Sequence, residues 1–175
     1  GGLLTQRKQG RHRYFALADH KVASLLEDLA GLAATRGHLR HRPGPKDPAL
    51  RRARICYDHL AGDFGVRILD SLIERGAILS EDDTLTLTTT GRQFVCDMGI
   101  DLDTIETPRR PLCRACLDWS ERRSHLGGSL GKALFGHMLA KGWAKREPES
   151  RAIRFTREGT GRFLALFPVE DADAA

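Results

Sequence analysis

Two stretches of this chain align on each other without a gap: HLAGDFGVRILDSLIERG at residues 59–76 and HLGGSLGKALFGHMLAKG at residues 125–142. Each begins with His-Leu, and each has glycine at the same three positions. The apolar residues between them recur at the spacing of one buried helical face, and the last glycine follows as a helix C-cap. The sequence therefore predicts two copies of one unit, each built on a core helix.

The similarity continues beyond these helices, with an offset that grows from 66 to 68 residues. Alternating apolar residues followed by Thr-x-x-Gly recur at 85–91 and 153–159. We interpret each copy as helix, helix, two-stranded hairpin and threonine-capped helix, and this period is too long for a solenoid. The predicted fold class is mainly α with small β-hairpins (α+β). A C-terminal domain, residues 48–168, is predicted to consist of two tandem winged-helix-like repeats, each helix–helix–hairpin–helix, at about 48–100 and 112–168.

The stretch LLTQRKQGRHRYFAL at residues 3–17 alternates about Gln9-Gly10, which predicts a β-hairpin with its turn at that dipeptide. Its tip carries four cations: Arg7, Lys8, Arg11 and Arg13. Two interpretations stay open. The charges either keep a solvated strand edge from aggregating, or they contact the phosphates of nucleic acid as a wing.

A helix is predicted next, with Asp19 as its N-cap and one apolar stripe that ends near Gly37. The stripe consists of Val22, Leu25, Leu26, Leu29 and Leu32. Little local sequence is available to cover it, so we expect it to pack on a preceding segment or on a second copy of the chain. Residues 37–47 predict a linker after this first domain, residues 1–36, and Asp47-Pro48 predicts the start of a new helix.

Composition limits the classes of function. The 175 residues carry a net charge of +5, a moderate excess that permits nucleic-acid binding without requiring it. No stretch is typical of a secretory signal or of a bilayer-spanning segment, so the sequence predicts a cytoplasmic protein with reduced cysteines. There is no nucleophile elbow, no phosphate loop and no spacing typical of paired catalytic carboxylates. The sequence therefore predicts that the protein is not an enzyme.

The cysteines and histidines provide candidate ligands for a soft metal or for a thiol oxidant. Cys56 and His59 are three residues apart, which places them on one face of a predicted helix, and Cys113 and Cys116 form a C-x-x-C with Asp118 close behind. Such groups suit zinc, or the softer cadmium, lead or arsenite. If the two copies pack about a pseudo-two-fold axis, Cys56 lies close to Cys113 or Cys116.

A plainer interpretation of these residues stays open. Cys56 is also expected as a small buried hydrophobic residue, and Cys96 is predicted to lie in the core. His59 and His125 occupy the same position in the two copies, where each would hydrogen-bond the start of the glycine-rich turn.

The stretch DWSERRSHL at residues 118–126 is a second candidate. If it is helical, Asp118 pairs with Arg122 and Trp119 stacks with Arg123, since each pair is four residues apart. This arrangement would brace the two copies. Alternatively, the stretch would line a pocket for an anionic ligand. That pocket would use Trp119, Arg122, Arg123 and His125.

Three stretches resemble a known family. GLLTQRKQGRHRYFALADHKVASLLEDLA (2–30) resembles the wing and following helix of the arsenic-repressor (ArsR) family of bacterial winged-helix transcription regulators. ARICYDHLAGDFGVRILDSLIERG (53–76) and CLDWSERRSHLGGSLGKAL (116–134) resemble the C-terminal extension of a long-chain subgroup. The resemblance implies a homodimer that binds double-stranded operator DNA. It also implies that the chain starts just past its helix-turn-helix. The four tip cations would then be wing contacts that fix the position of the protein on the duplex without reading the base sequence.

Two functional hypotheses follow. In the first, the chain is the wing and effector domain of a repressor-type regulator that responds to a soft metal ion or a thiol oxidant. In the second, it is a metal- or small-ligand-binding module whose contact with DNA is incidental.

Overall fold

The structure, a computed structural model, describes residues 2–9, 12–36, 44–81 and 84–169. The chain divides into two units, Gly1–His41 and Arg42–Ala175, which are called the N-terminal unit and the C-terminal unit below. In the part of the chain that the structure describes, no helix is both long enough and apolar enough to cross a membrane.

The N-terminal unit begins with the predicted hairpin. Strand β1 (Leu4–Gln9) pairs antiparallel with β2 (His12–Leu17), and the register sets Lys8 directly opposite Arg13. The side chains of Arg7, Lys8 and Arg13 are exposed. The hairpin is thereby confirmed, whereas the turn residue Gly10 and the fourth cation, Arg11, lie outside the described residues.

The hairpin leads into helix α1 (His20–Thr35). The Asp19 carboxylate accepts hydrogen bonds from the backbone amides of Lys21 and Val22, at 2.9 and 3.0 Å. These are the bonds by which an N-cap satisfies the free amides of a first helical turn. The predicted N-cap is therefore confirmed.

The C-terminal unit contains two halves with the same order of elements: hairpin, helix, hairpin, helix. The short α2 (Pro48–Arg52) precedes the first half, which consists of β3 (Arg54–Cys56), β4 (His59–Ala61), α3 (Asp63–Glu74), β5 (Ile78–Glu81), β6 (Thr84–Leu87) and α4 (Thr89–Asp97). The short α5 (Leu102–Ile105) precedes the second half, which consists of β7 (Arg114–Leu117), β8 (Ser124–Gly127), α6 (Gly128–Ala140), β9 (Ala144–Arg146), β10 (Ile153–Phe155) and α7 (Arg157–Leu166). Every described strand pairs with one antiparallel neighbour.

The first element of each half is a hairpin, where the sequence predicted a helix. Helix α2 starts at the predicted Asp47 cap but stops after five residues, because the backbone of Ala53 is extended. Tyr57 then adopts a φ of 55°, in the left-handed region that a right-handed helix does not use, and turns the chain between β3 and β4. In the second half, Arg122 has a φ of 59° in the loop between β7 and β8. The predicted helix over Cys56 and His59 is therefore wrong, and the winged-helix class stays a prediction.

Helices α3 and α6 both contribute to one buried core cluster, and each packs against the first hairpin of the other half. Helix α3 contacts β8, the second strand of the other half's first hairpin, and α6 contacts β4. The buried side chains of Leu72, Leu130, Leu134 and Met138 form much of the apolar interior. Strands β4 and β8 also contact each other, and this contact brings the first hairpins of the two halves together.

Candidate functional site

Each of these two hairpins presents one cysteine and one histidine. Cys56 on β3 is directly opposite His59 on β4, and Cys116 on β7 is directly opposite His125 on β8. Residues directly opposite each other in an antiparallel pair project from the same face of the sheet. Each hairpin therefore offers a thiol and an imidazole side by side.

The contact between the hairpins gathers these four side chains, which we call the Cys/His cluster, into one site. The Sγ atoms of Cys56 and Cys116 are 4.0 Å apart, and the Nε2 atoms of His59 and His125 are 3.1 Å apart. One potential ligand atom from each residue lies within 4.8 Å of all the others. Cys56 is half-buried, whereas the other three residues are buried.

Glycines in the core helices allow each helix to lie close against the strand that precedes it. A Cβ on Gly65 of α3 would come within 2.5 Å of the Leu60 carbonyl oxygen, and a Cβ on Gly131 of α6 would come within 2.2 Å of the Leu126 carbonyl oxygen. Real Cβ atoms do not make such contacts, so both positions require glycine. The same added atom would lie 3.5 Å from the Cβ of His125 or His59, respectively, which puts each helix directly behind the other half's histidine.

A carboxylate lies on the Nδ1 side of each imidazole, away from the other ring. Asp58 Oδ1 is 3.3 Å from His59 Nδ1, and Asp118 Oδ2 is 3.7 Å from His125 Nδ1. Both rings thus turn Nε2 toward the cluster and Nδ1 toward an acid. His125 Nδ1 is fully buried and has no hydrogen-bond partner among the described residues.

Asp118 is itself held by several donors in the interior. It is fully buried and accepts hydrogen bonds from the Gly62 amide at 2.6 Å, from Arg54 at 2.6 Å and from the Ser120 hydroxyl at 2.7 Å. Burial alone would raise the pKa of this carboxyl, but these donors outweigh it and hold the pKa below the ordinary value. Arg54 is buried as well, with its guanidinium 5.0 Å from the centre of the Trp119 ring. The ion pair between Arg54 and Asp118 joins the two halves, because Arg54 belongs to β3 and Asp118 follows β7.

Asp58 is held in a comparable way on the other side of the cluster. Arg110 donates two hydrogen bonds to its carboxylate, at 2.6 and 2.9 Å, and a third to the Gly128 carbonyl oxygen. Partial burial opposes ionisation, yet the Arg110 bonds dominate and lower the pKa of Asp58. Both acids behind the imidazoles are therefore carboxylates at neutral pH.

The Cys56 thiol is acidic. The hydrogen bond from Cys116 lowers its pKa most, burial opposes this, and the two imidazoles lower the pKa further, so that the value lies well below the ordinary one. The thiolate is the form of cysteine that binds metals and attacks oxidants. The cluster thus presents two sulfurs and two imidazoles within one small volume, and Cys56 is the sulfur whose ionisation these neighbours favour.

The sequence contains a signal for this arrangement that the prediction missed. Arg-x-Cys-x-Asp occurs twice, as RICYD at 54–58 and as RACLD at 114–118. The first copy continues directly into His-Leu, whereas WSERRS at 119–124 separates the second copy from its His-Leu. This insertion of six residues changes the offset from 60 to 66. An alignment that allowed the gap would have paired Cys56 with Cys116 and would have added His125 to the site.

Cys113, a predicted ligand, lies elsewhere. It is buried in the hydrophobic core, and burial raises the pKa of its thiol to about 11. Asp118, also a predicted ligand, faces Arg54 and supports His125 instead. Cys96 was predicted in the core but is exposed, because helix α4 turns Gly91 and Val95 inward and this cysteine outward.

Most of the stretch predicted as a ligand pocket, residues 118–123, is a loop between β7 and β8, and its last three residues begin β8. Asp118 pairs with Arg54 rather than with Arg122, whose backbone amide donates to the Asp118 carbonyl oxygen. Arg123 pairs with Asp70 at 2.7 Å, and Trp119 faces Arg54 rather than Arg123. His125 lies in the Cys/His cluster. The helical pairings predicted for this stretch are therefore wrong, since the positive φ of Arg122 prevents a continuous helix.

Comparison with known proteins identifies the family. The chain is 42% identical over 159 residues to a Bacillus subtilis (strain 168) protein named "Uncharacterized HTH-type transcriptional regulator YdfF", and the alignment covers 90% of this chain and 70% of that protein. No family model matches the chain, and no solved structure matches it. The chain belongs to the family of this helix-turn-helix transcriptional regulator.

Proposed function

We propose that this chain is a DNA-binding transcriptional regulator of the ArsR type whose C-terminal unit carries the effector site. The Cys/His cluster is the observation that supports this proposal best, in a chain whose relative is named a transcriptional regulator. The effector is a soft metal ion or a thiol oxidant, and its arrival changes the affinity of the protein for double-stranded operator DNA.

The N-terminal hairpin supports the DNA-binding part of the proposal. Lys8 and Arg13 are exposed and opposite each other on β1 and β2, with Arg7 exposed beside them. Cations on a protruding hairpin neutralise phosphates, and such contacts fix position on a duplex without reading its sequence. Arg11, the fourth predicted wing cation, lies outside the described residues and belongs to the proposal on its sequence position alone.

The chemistry of the cluster supports the effector part. Thiolates and imidazoles are ligands for soft and borderline metals. The same two sulfurs also suit an oxidant. Hydrogen peroxide would join Cys56 and Cys116 as a disulfide, taking two electrons from the sulfurs, one proton from the Cys116 thiol and one from the solvent, and leaving as two water molecules. Either event would act on the contact between the two halves of the C-terminal unit.

We further propose that the protein is a homodimer, which the resemblance to the ArsR family implies. Four leucines of α1 are between 48 and 56% exposed: Leu25, Leu26, Leu29 and Leu32. An apolar stripe of this kind is the usual contact face of a paired helix. A second copy of α1 is the occupant that suits it.

The wing is tested by fluorescence anisotropy with this chain on several unrelated DNA duplexes. Changing Lys8 and Arg13 together to glutamine is expected to weaken binding by a similar factor on every duplex and to reduce its salt dependence. The matched control changes Lys145 and Arg154 to glutamine, because they are also exposed cations directly opposite each other on a hairpin, β9–β10. Equal losses in both variants, or no loss in the first, would contradict a specific role for the N-terminal hairpin.

The effector site is tested in the same assay by adding a zinc or cadmium salt, or hydrogen peroxide, to the reduced protein. At least one of these additions is expected to change DNA affinity, and changing Cys56 to serine is expected to abolish that change. Unaltered affinity with every addition would overturn the effector role while leaving DNA binding intact.

A further inference from the structure

We infer that Cys56, His59, Cys116 and His125 together bind one zinc-class divalent ion in tetrahedral geometry, and that this ion joins the two halves of the C-terminal unit. The inference rests on the proposed effector site and narrows it in two ways. It assigns a mixed sulfur and nitrogen ligand set, and it makes each hairpin contribute one ligand of each kind.

The distances within the cluster fit such an ion. With usual bond lengths of about 2.3 Å to sulfur and about 2.05 Å to nitrogen, tetrahedral angles separate two sulfur ligands by about 3.8 Å and two nitrogen ligands by about 3.3 Å. The structure has 4.0 Å between the sulfurs of Cys56 and Cys116 and 3.1 Å between the Nε2 atoms of His59 and His125. These two pairs are within about 0.2 Å of the required separations, whereas the widest sulfur–nitrogen separation, within 4.8 Å, would close toward about 3.6 Å as the side chains draw in around the ion.

The kinds of ligand select the ion. Two thiolates and two imidazoles in tetrahedral geometry favour zinc, whereas carboxylate and carbonyl oxygens would favour magnesium or calcium. Lead and arsenite are softer and gain from thiolates, yet Cys113 lies in the core and supplies no third sulfur. Four protein ligands also close the coordination shell, as in structural zinc sites.

The polar groups around the imidazoles support the same ion. The Nε2 atoms of His59 and His125 face each other, and each Nδ1 faces a carboxylate, of Asp58 or Asp118. Without an ion, one neutral ring would donate a hydrogen bond from its Nε2–H to the Nε2 of the other ring. The Nδ1 of the donating ring would then be unprotonated, and its lone pair would face a negatively charged carboxylate. An ion that accepts both Nε2 lone pairs leaves both Nδ1–H groups directed at the carboxylates. That carboxylate–histidine–metal arrangement orients the ligands of many zinc sites.

The charges around the cluster balance with an ion in it. Two thiolates offset a charge of 2+, and the two flanking carboxylates already have cationic partners, because Asp58 pairs with Arg110 and Asp118 pairs with Arg54. No uncompensated charge is left in the interior, where one would be costly. Cys56 is half-buried and marks the side from which an ion enters.

Metal content and geometry provide the first test. The reduced chain, loaded with zinc and passed through a desalting column, is expected to retain one zinc per chain by elemental analysis. With Co²⁺ in its place, the visible spectrum should be that of a tetrahedral ion, with a thiolate charge-transfer band of the intensity expected for two sulfurs. Changing His125 to glutamine should weaken binding at least about 10-fold, whereas changing Cys113 or Cys96 to serine should leave it unaltered.

A second measurement on the unmutated protein covers the case in which a variant fails to fold. Iodoacetamide labelling followed by peptide mass spectrometry should show Cys56 and Cys116 protected by zinc and released by a chelator, while Cys96 labels in both states. Substoichiometric zinc, an octahedral cobalt spectrum or equal labelling with and without zinc would overturn the inference.

The outcomes separate this inference from the proposed function. If no ion binds but peroxide links Cys56 to Cys116 and changes DNA affinity, the inference fails and the proposed effector role stands. If one ion binds tetrahedrally but neither zinc removal nor peroxide alters DNA affinity, the inference stands and the effector role fails.

Discussion

At the scale of single residues, two cysteines three positions apart, Cys113 and Cys116, have opposite surroundings. Cys116 on β7 faces Cys56 across the contact between the hairpins, while Cys113, just before that strand, points into the apolar core. Burial dominates at Cys113, because it outweighs the weaker opposing effects of Arg92 and of the Leu87 backbone on the charged form of the thiol. Position relative to one short strand thus decides which sulfur lies in the Cys/His cluster and which lies in the core.

The alkylation of Cys113 is expected to be slow and to depend steeply on pH. Its pKa is raised to about 11 by burial, so the thiol stays protonated below that pH, and its reactive fraction grows about tenfold per pH unit up to it. At pH 8, labelling of Cys113 should lag far behind that of the exposed Cys96, measured by peptide mass spectrometry over time. A rate equal to that of Cys96 at pH 8 would contradict the core position of this thiol, and the chain with Cys96 changed to serine serves as a control for cross-labelling.

At the scale of elements, the spacing of Cys56 and His59 correctly predicted that the two side chains lie together, but it predicted a helix where the structure has a hairpin. Residues three apart meet on one face of a helix, but they also meet across a two-residue hairpin turn, so the pair Cys56 and His59 fits both. Tyr57 decides between them by its left-handed backbone, which the residue type does not reveal. The caps were easier to predict, because Asp47, Thr88 and Thr156 act through local hydrogen bonds to amides two or three residues ahead.

Three of the four residues of the Cys/His cluster could be predicted from the sequence, and the fourth was missed for a similar reason. Cys56, His59 and Cys116 stood out by residue type, but the link from Cys116 to His125 crosses a six-residue loop between β7 and β8. Local spacing carries no information about a pair brought together by strand register. The repeated Arg-x-Cys-x-Asp does carry it, once the loop is treated as an insertion.

Helix α6 offers a direct test of the close approach between helix and hairpin. Changing Gly131 to alanine puts a Cβ 2.2 Å from the Leu126 carbonyl oxygen, so β8 must shift, at an expected cost of about 1–3 kcal/mol in the free energy of unfolding. Changing Gly136 to alanine in the same helix meets nothing within 4 Å and is expected to stabilise by about 0.5–1 kcal/mol. Urea unfolding followed by circular dichroism measures both. If both variants changed stability in the same direction, the packing described for α6 against β8 would be wrong.

At the scale of the whole molecule, the Cys/His cluster exists only because both halves of the C-terminal unit contribute. Cys56 and Cys116 are separated by 60 residues, and so the cluster closes a long loop of chain. The buried ion pair between Arg54 and Asp118 spans the same boundary. Under the proposed function, a metal ion or an oxidant at the cluster would therefore act on the packing between the two halves of the C-terminal unit.

The proposed homodimer is the second property of the whole molecule, and it is tested by mass. The chain is expected to sediment at twice its mass of 19.4 kDa at micromolar concentrations. Changing Leu25 and Leu32 together to glutamate places charges at two points of the α1 stripe, seven residues apart on one face, and should give a particle of the single-chain mass. Changing the equally exposed Leu79 on β5 to glutamate should leave the dimer intact, since that leucine belongs to the C-terminal unit. Circular dichroism checks that each variant remains folded. A folded wild-type chain that sediments as a monomer, or a double variant that remains a dimer, would exclude α1 as the contact between two copies.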